Sequence, residues 1–195
     1  MSVAMEEGPR RHRITVDEFY RMAEVGLFAP DARVELIDGE IIEMPPIGSR
    51  HHAAVARLNR LFVFALGEQG IVHCQGSVQL GDLSAPQPDF ALLVAREDFY
   101  AHQRIIGADT LLAVEVSDSS LRYDLHTKMA LYARHAIPEC WVLDVQGDEV
   151  HRLHVFRKPA GNIYEEKLSI EKKPLVMPIP SLPGITVDLS SIFLK

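Results

Sequence analysis

Hydrophobic positions along the chain fall into two kinds of block. Some are unbroken apolar runs of strand length, and others are longer segments with apolar residues three and four apart. The two kinds meet between Thr110 and Lys128, TLLAVEVSDSSLRYDLHTK. Thr110 to Val116 is almost wholly apolar, which predicts a strand buried on both faces, an inner strand of a mixed sheet. Ser117, Asp118, Ser119 and Ser120 then supply turn and N-cap chemistry, and a helix is expected from about Leu121. On that helix Leu121, Leu125, Met129, Tyr132 and Ala136 form one apolar stripe.

Upstream, Thr15-Val16-Asp17-Glu18 has the form of a capping box and predicts a helix to about Val25, closed by Gly26 and Pro30. Arg33 to Met44 predicts a hairpin turning at Asp38-Gly39. A rigid connection, Pro45 to Ser49, offers Ser49 as N-cap of a helix from about Arg50 to Leu66, with Val55, Leu58, Phe62, Ala65 and Leu66 on its apolar stripe. Strands are expected at Ile71 to Leu80 and at Pro88 to Val94, the second apolar on both faces and therefore central. Past Ile137-Pro138, three antiparallel strands extend the sheet: Glu139 to Val145, Val150 to Phe156 and Ile163 to Ser169. Their turns fall at Gln146-Gly147-Asp148 and at Pro159 to Asn162. Lys173 to Leu194 is Pro-rich and closes on a helical turn near Leu189 to Phe193. These elements predict an α/β fold with a mixed central sheet flanked by helices. It forms a single domain over residues 14–195, preceded by a mobile arm at residues 1–13.

Composition narrows the class. A chain of 195 residues with 47% hydrophobic and 24% charged residues is expected to be one soluble globular domain. No apolar stretch approaches the roughly 18 residues of a membrane span. The start, MSVAMEEGPRRHR, lacks the apolar segment of a secretory signal, so a cytoplasmic location is expected. Cys74 and Cys140 each lie in an apolar segment and are expected to be reduced core residues. A net charge of −7 opposes a generic nucleic-acid coater. It leaves room for an enzyme whose acidic centre holds cations under a local basic rim. Arg10, Arg11, His12 and Arg13 form a basic cluster in the arm.

The candidate chemistry begins with one carboxylate, Glu115, near the end of the inner strand and on one face with Ala113 and Ser117. A buried carboxylate needs a cation, a metal or strong donors. Asp89 stands at the mouth of the second inner strand, so two acids occupy the ends of central strands. Lys128 falls roughly 20° outside the helical stripe, close enough to bury its stem and send its ammonium over the strand end. A competing arrangement pairs Asp124 with Lys128 on a solvated helix face. Glu35 projects from the hairpin opposite Val34 and Leu36, either into a site or into solvent. His51 lies on the apolar stripe in the first turn of its helix, either as a site residue or as a satisfied core histidine. His151 and His154 fall on opposite faces of one strand and make no metal pair by spacing. No Walker loop, dinucleotide fingerprint, nucleophile elbow or zinc-finger spacing is present.

Hard oxygen ligands at Asp89 and Glu115 suit Mg²⁺ or Mn²⁺, with water and substrate phosphate in the remaining positions. A lysine nearby can orient or deprotonate the attacking water or stabilise a pentavalent anion. Phosphodiester hydrolysis uses that whole set. VELIDGEIIEMPPIGSRHH, then QPDF, then LLAVEVSDSSLRYDLHTKMALYARHAIPECWVLD resembles the Uma-two family of restriction endonucleases in the PD-(D/E)XK nuclease-like superfamily. The resemblance implies a restriction-endonuclease-like fold, divalent-metal binding by Asp89 and Glu115, and DNA as substrate. It matches Glu35 to the family's upstream acid and His51 to the histidine opening its first core helix. Ser117 stands where the superfamily's E-x-K pattern has its lysine, and the resemblance suggests that Lys128 takes over. The expected activity is a metal-dependent DNA endonuclease, working as a homodimer because duplex cleavage needs two sites. The alternatives are a catalytically silent nucleic-acid-binding or regulatory module on the same fold, and an enzyme acting on another phosphate substrate.

Overall fold

A computed structural model describes residues 9–145, 152–171 and 175–192. The expected turn at Gln146-Gly147-Asp148, His151 and both ends of the chain lie outside the described residues. Helix α1 (Val16–Glu24) opens with the expected capping box: the Glu18 amide donates to Thr15 Oγ1, and the Thr15 amide donates to Glu18 at 2.8 Å. Strands β1 (Val34–Ile37) and β2 (Glu40–Glu43) form the hairpin, with Ile37 opposite Glu40. The two turn residues, Asp38 and Gly39, have φ of 50° and 80°, the pair of positive values that an Asp-Gly turn of this hand requires. Helix α2 (Ser49–Leu66) starts one residue earlier than expected. Gly48 occupies its N-cap position, and no side chain caps it.

Strands β3 (Gly70–Cys74), β4 (Phe90–Val94), β5 (Thr110–Ser117), β6 (Glu139–Asp144), β7 (Arg152–Ala160) and β8 (Ile163–Ile170) form one sheet in that spatial order. Only β5 and β6 run parallel, so the sheet is mixed. A parallel pair needs a crossover. Here it consists of α3 (Leu121–Tyr123), a π-helical turn (Asp124–Lys128) and α4 (Met129–Arg134).

Each sheet face carries its own core. One face packs Leu112, Val114, Val116 and Trp141 against Leu58, Phe62 and Leu66 of α2. The other packs Ala113, Cys140 and Val142 against Met129, Leu131 and Tyr132 of the crossover. Each fully buried Leu, Val or Phe contributes on the order of 1.5–3 kcal/mol. These two layers, with β5 and β6 between them, are why the central strands read as continuous apolar runs.

Four local expectations are corrected. The strand expected from Ile71 to Leu80 stops at Cys74, because Gln75 turns to a φ of 50° and the His73 ring covers Gly76. Cys74 is consequently exposed at the end of an edge strand, whereas Cys140 is buried. Strand β7 runs through Pro159 to a two-residue Gly161-Asn162 turn. Its pairing with β6 ends at Arg157, so the missing proline N–H costs no bond on that side. The Pro-rich tail forms a hairpin, β9 (Val176–Pro178) with β10 (Thr186–Asp188), whose Met177 and Val187 close the α2-side core.

Candidate active site

The carboxyl-terminal end of β5, the start of β4, hairpin strand β1, the first turn of α2 and the crossover helix meet around a cavity of about 50 Å³. At roughly 10–15 Å³ per enclosed water, that is room for about three to five waters. Glu35, His51, Asp89, Glu115, Asp124 and Lys128 all line it.

Strand β5 delivers Glu115 on the crossover side, as the alternation from Ala113 requires. Its Oε1 accepts from the Tyr132 hydroxyl at 2.5 Å and its Oε2 from Lys128 Nζ at 3.1 Å. Asp89 sits in the bend just before β4. Its Oδ2 accepts from the Val116 amide at 2.8 Å, which ties the two strand ends together. Its Oδ1 stands 2.7 Å from His51 Nε2, a spacing that assigns the ring hydrogen to that nitrogen, and 3.4 Å from Gln75 Nε2. Thus the irregular turn that ends β3 carries a donor to the site.

Glu35 projects opposite Leu36, yet it is only 2% exposed, because the segment ending at Gln87 covers the hairpin. Leu36 and Ala85 exchange backbone hydrogen bonds there, and the Gln87 amide donates to Glu35 Oε1 at 3.1 Å. Lys128 Nζ donates to the same oxygen at 2.9 Å.

The crossover differs from a plain helix where it matters most. The Met129 amide reaches back five residues to the Asp124 carbonyl, the signature of a π-turn. The wider turn brings Lys128 from the margin of the stripe into the buried face, where it is 1% exposed. Asp124 does not pair with it on a solvated face. Its Oδ2 accepts from Ser117 and Ser120 hydroxyls at 2.6 Å each, binding the helix start to the end of β5. Ala136, expected on the stripe, lies beyond α4 at a φ of 56°. Tyr132, Gln75, Gln87 and Asp124 are site contacts that periodicity did not single out. A hydroxyl on a buried stripe and a Gly inside an expected strand were the available signals.

Four carboxylates, Glu35, Asp89, Glu115 and Asp124, therefore face one buried ammonium. Desolvation pushes the Glu115 carboxyl well above its ordinary value, against the pull of Lys128 and with help from Asp124, Asp89 and Glu35. Burial by itself would lower the Lys128 ammonium, but Glu115, Glu35 and Asp124 together hold it above its ordinary value. The surrounding negative charge thus outweighs burial at the lysine, so Lys128 is a fixed cation and not a proton acceptor. Desolvation, with Glu115 close by, raises the Tyr132 hydroxyl well above its ordinary value and keeps it a donor. Glu35 Oε2 and Asp124 Oδ1 are buried with no hydrogen-bond partner.

The sheet order, the two helical layers and the acids at the central strand ends define a restriction-endonuclease-like fold. The Uma2 family profile, described as "putative restriction endonuclease", matches residues 16–190, and the chain belongs to that family. Among solved structures it is similar to one described as a putative nuclease belonging to DUF820 from Anabaena variabilis. That structure has a TM-score of 0.68 and 18% identity, over 92% of this chain and 97% of that one. No curated protein matches the chain in sequence. No helix among the described residues is long and apolar enough to cross a membrane.

Two outcomes follow from the charge arrangement. Lys128→Met leaves Glu35 and Glu115 buried without a counter-ion and is expected to cost about 3–5 kcal/mol. Urea unfolding measures it, and a loss below about 1 kcal/mol contradicts the arrangement. Because the folded-state Glu115 pKa is raised, its burial favours the fold below the ordinary carboxyl value of 4.5 and works against it as pH rises through the folded value. In metal-free buffer, the stability of Glu115→Gln relative to wild type should therefore increase from near pH 5 to near pH 8. Thermal melts giving a constant difference rule that out.

Proposed function

We propose that the protein is a divalent-metal-dependent endonuclease that hydrolyses phosphodiester bonds, with DNA as its substrate. The observation that carries this reading is the buried Lys128 ammonium held between Glu35 and Glu115 beside Asp89, on the wall of a small cavity at the sheet end. Membership in the Uma2 family supports it.

The donor set fits Mg²⁺ or Mn²⁺. Asp89 and Glu115 offer hard oxygens, four carboxylates exceed one ammonium, and Glu35 Oε2 is buried and unpartnered. Among the described residues no three His, Cys, Asp or Glu groups form a preassembled metal cage. Mg²⁺ keeps several waters and takes one or two carboxylates plus substrate oxygen, so two protein ligands suffice. Asp89 and Glu115 would hold such a cation, which would supply Lewis-acid activation of water and neutralise phosphate charge.

The protein's own groups divide the remaining work. Lys128, kept charged by its acid neighbours, stabilises negative charge developing on the phosphate and orients the water. His51, Gln75 and the Val116 amide fix the rotamer of Asp89, and Tyr132 fixes Glu115. Glu35 restrains Lys128 through a carboxylate that is itself restrained by the Gln87 amide. Positioning of this kind, not covalent chemistry, supplies most of the catalysis in phosphate-ester hydrolysis. Cutting both strands of a duplex calls for two such sites, so the active form in this reading is a homodimer.

One feature favours a second reading, a catalytically silent nucleic-acid-binding module. Lys128 already pairs with both Glu115 and Glu35 without any other cation.

Cleavage decides between the two. Purified protein should nick supercoiled plasmid DNA in Mg²⁺ or Mn²⁺ and lose that activity in EDTA. Asp89→Asn should reduce the rate by about 10²–10³-fold with an unchanged circular dichroism spectrum. Intact plasmid, duplex and single strands in both metals would leave the silent module as the better description.

A further inference from the structure

A shallow groove continues from the cavity across the outer side of the crossover helix. The cavity and the groove share Ser119 and Ser120, and the groove goes on past Arg122, Tyr123, His126 and Thr127. No carboxylate lines it. That stands out in a chain of net charge −7 and next to a cavity lined by five carboxylates, Glu35, Asp89, Glu115, Asp118 and Asp124.

The basic side chains in the groove are uncommitted. Many arginines elsewhere are tied down: Arg96 by Asp98, Arg104 by Asp17, Arg134 by Asp38, Arg157 by Glu139. The Arg122 and His126 side chains are exposed and carry no hydrogen bond or ion pair among the described residues. They lie four residues apart, so they occupy successive turns of one helical face. The Ser119 and Thr127 hydroxyls are exposed and unbonded beside them. A guanidinium, an imidazole and two hydroxyls in a row, aimed at water and free of acids, form a donor set for phosphate oxygens. The row leads to the cavity edge where Ser120 and Asp124 stand.

We propose that this groove is the track for the polynucleotide backbone flanking the bond to be cut, with Arg122 and His126 contacting phosphates next to it. The proposal rests on the nuclease reading for the direction of the strand, but it is a claim about binding and has its own readout. Phosphate contacts position a strand without reading its sequence, so the groove adds affinity and register, not specificity. Each phosphate neutralised releases condensed counter-ions, so each lost contact flattens the salt dependence of binding.

The test is fluorescence anisotropy with a labelled 20-base-pair DNA duplex, titrated over a range of salt in EDTA, where cleavage is suppressed. Arg122→Ala should weaken binding several-fold and lower the slope of log affinity against log salt by about one, and Arg122→Ala/His126→Ala should weaken binding further. Arg134→Ala removes the same charge on a surface paired with Asp38 and should leave both unchanged. Plasmid nicking is followed in parallel. Wild type that nicks DNA, with Arg122→Ala binding like Arg134→Ala, overturns the groove and spares the nuclease. Wild type that never nicks, with Arg122→Ala alone flattening the slope, removes the nuclease reading and keeps the track. Equal slopes in all variants overturn the proposal in either case.

Discussion

A single ammonium surrounded by carboxylates is the constraint from which the rest of this structure follows. Lys128 is buried on an inner helical turn and bonds two acids that are 93 and 13 residues away in sequence. Burying a charge is tolerated only with close partners. The hairpin, the β5 strand end and the crossover must therefore arrive together. The hairpin is anchored to the segment ending at Gln87, the strand ends are joined by Asp89 to the Val116 amide, and the crossover is pinned by Asp124 to two serines. Each of these bonds holds an element that supplies an acid to the cavity or a partner to the lysine.

The excess of negative charge has consequences for both stability and chemistry. Burial, with Asp124, Asp89 and Glu35 nearby, holds the Glu115 carboxyl well above its ordinary value, while Glu115, Glu35 and Asp124 keep the lysine charged. A further cation in such a cluster would offset part of that charge, as the proposed function requires. Optimising the site for stability alone would mean removing acids, and a trade between stability and activity is common in functional sites.

Much of the architecture was legible because central strands and capped helices obey strong local rules. The Val34–Glu43 hairpin followed from Asp-Gly, α1 from its capping box, and β5 from an apolar run with one acid. The π-turn was not legible. Asp124 to Lys128 keeps ordinary helical residues, and the extra residue is stabilised by tertiary contacts, above all the serine hydroxyls on Asp124. Glu35 looked as suited to solvent as to a site, because what buries it is a segment some fifty residues downstream. Tyr132 counted as a stripe aromatic, since periodicity sees its ring and not its hydroxyl. The β9–β10 hairpin was hidden by prolines and by strands only three residues long.

The central claim is that acids on separate elements share one cation beside Lys128. Crystals soaked in Mn²⁺ test it most directly, through an anomalous difference map collected at the manganese edge. The account predicts one strong peak within bonding distance of both an Asp89 and a Glu115 carboxylate oxygen. A cavity with no peak, or manganese bound only elsewhere while Lys128 alone bridges Glu35 and Glu115, would contradict it.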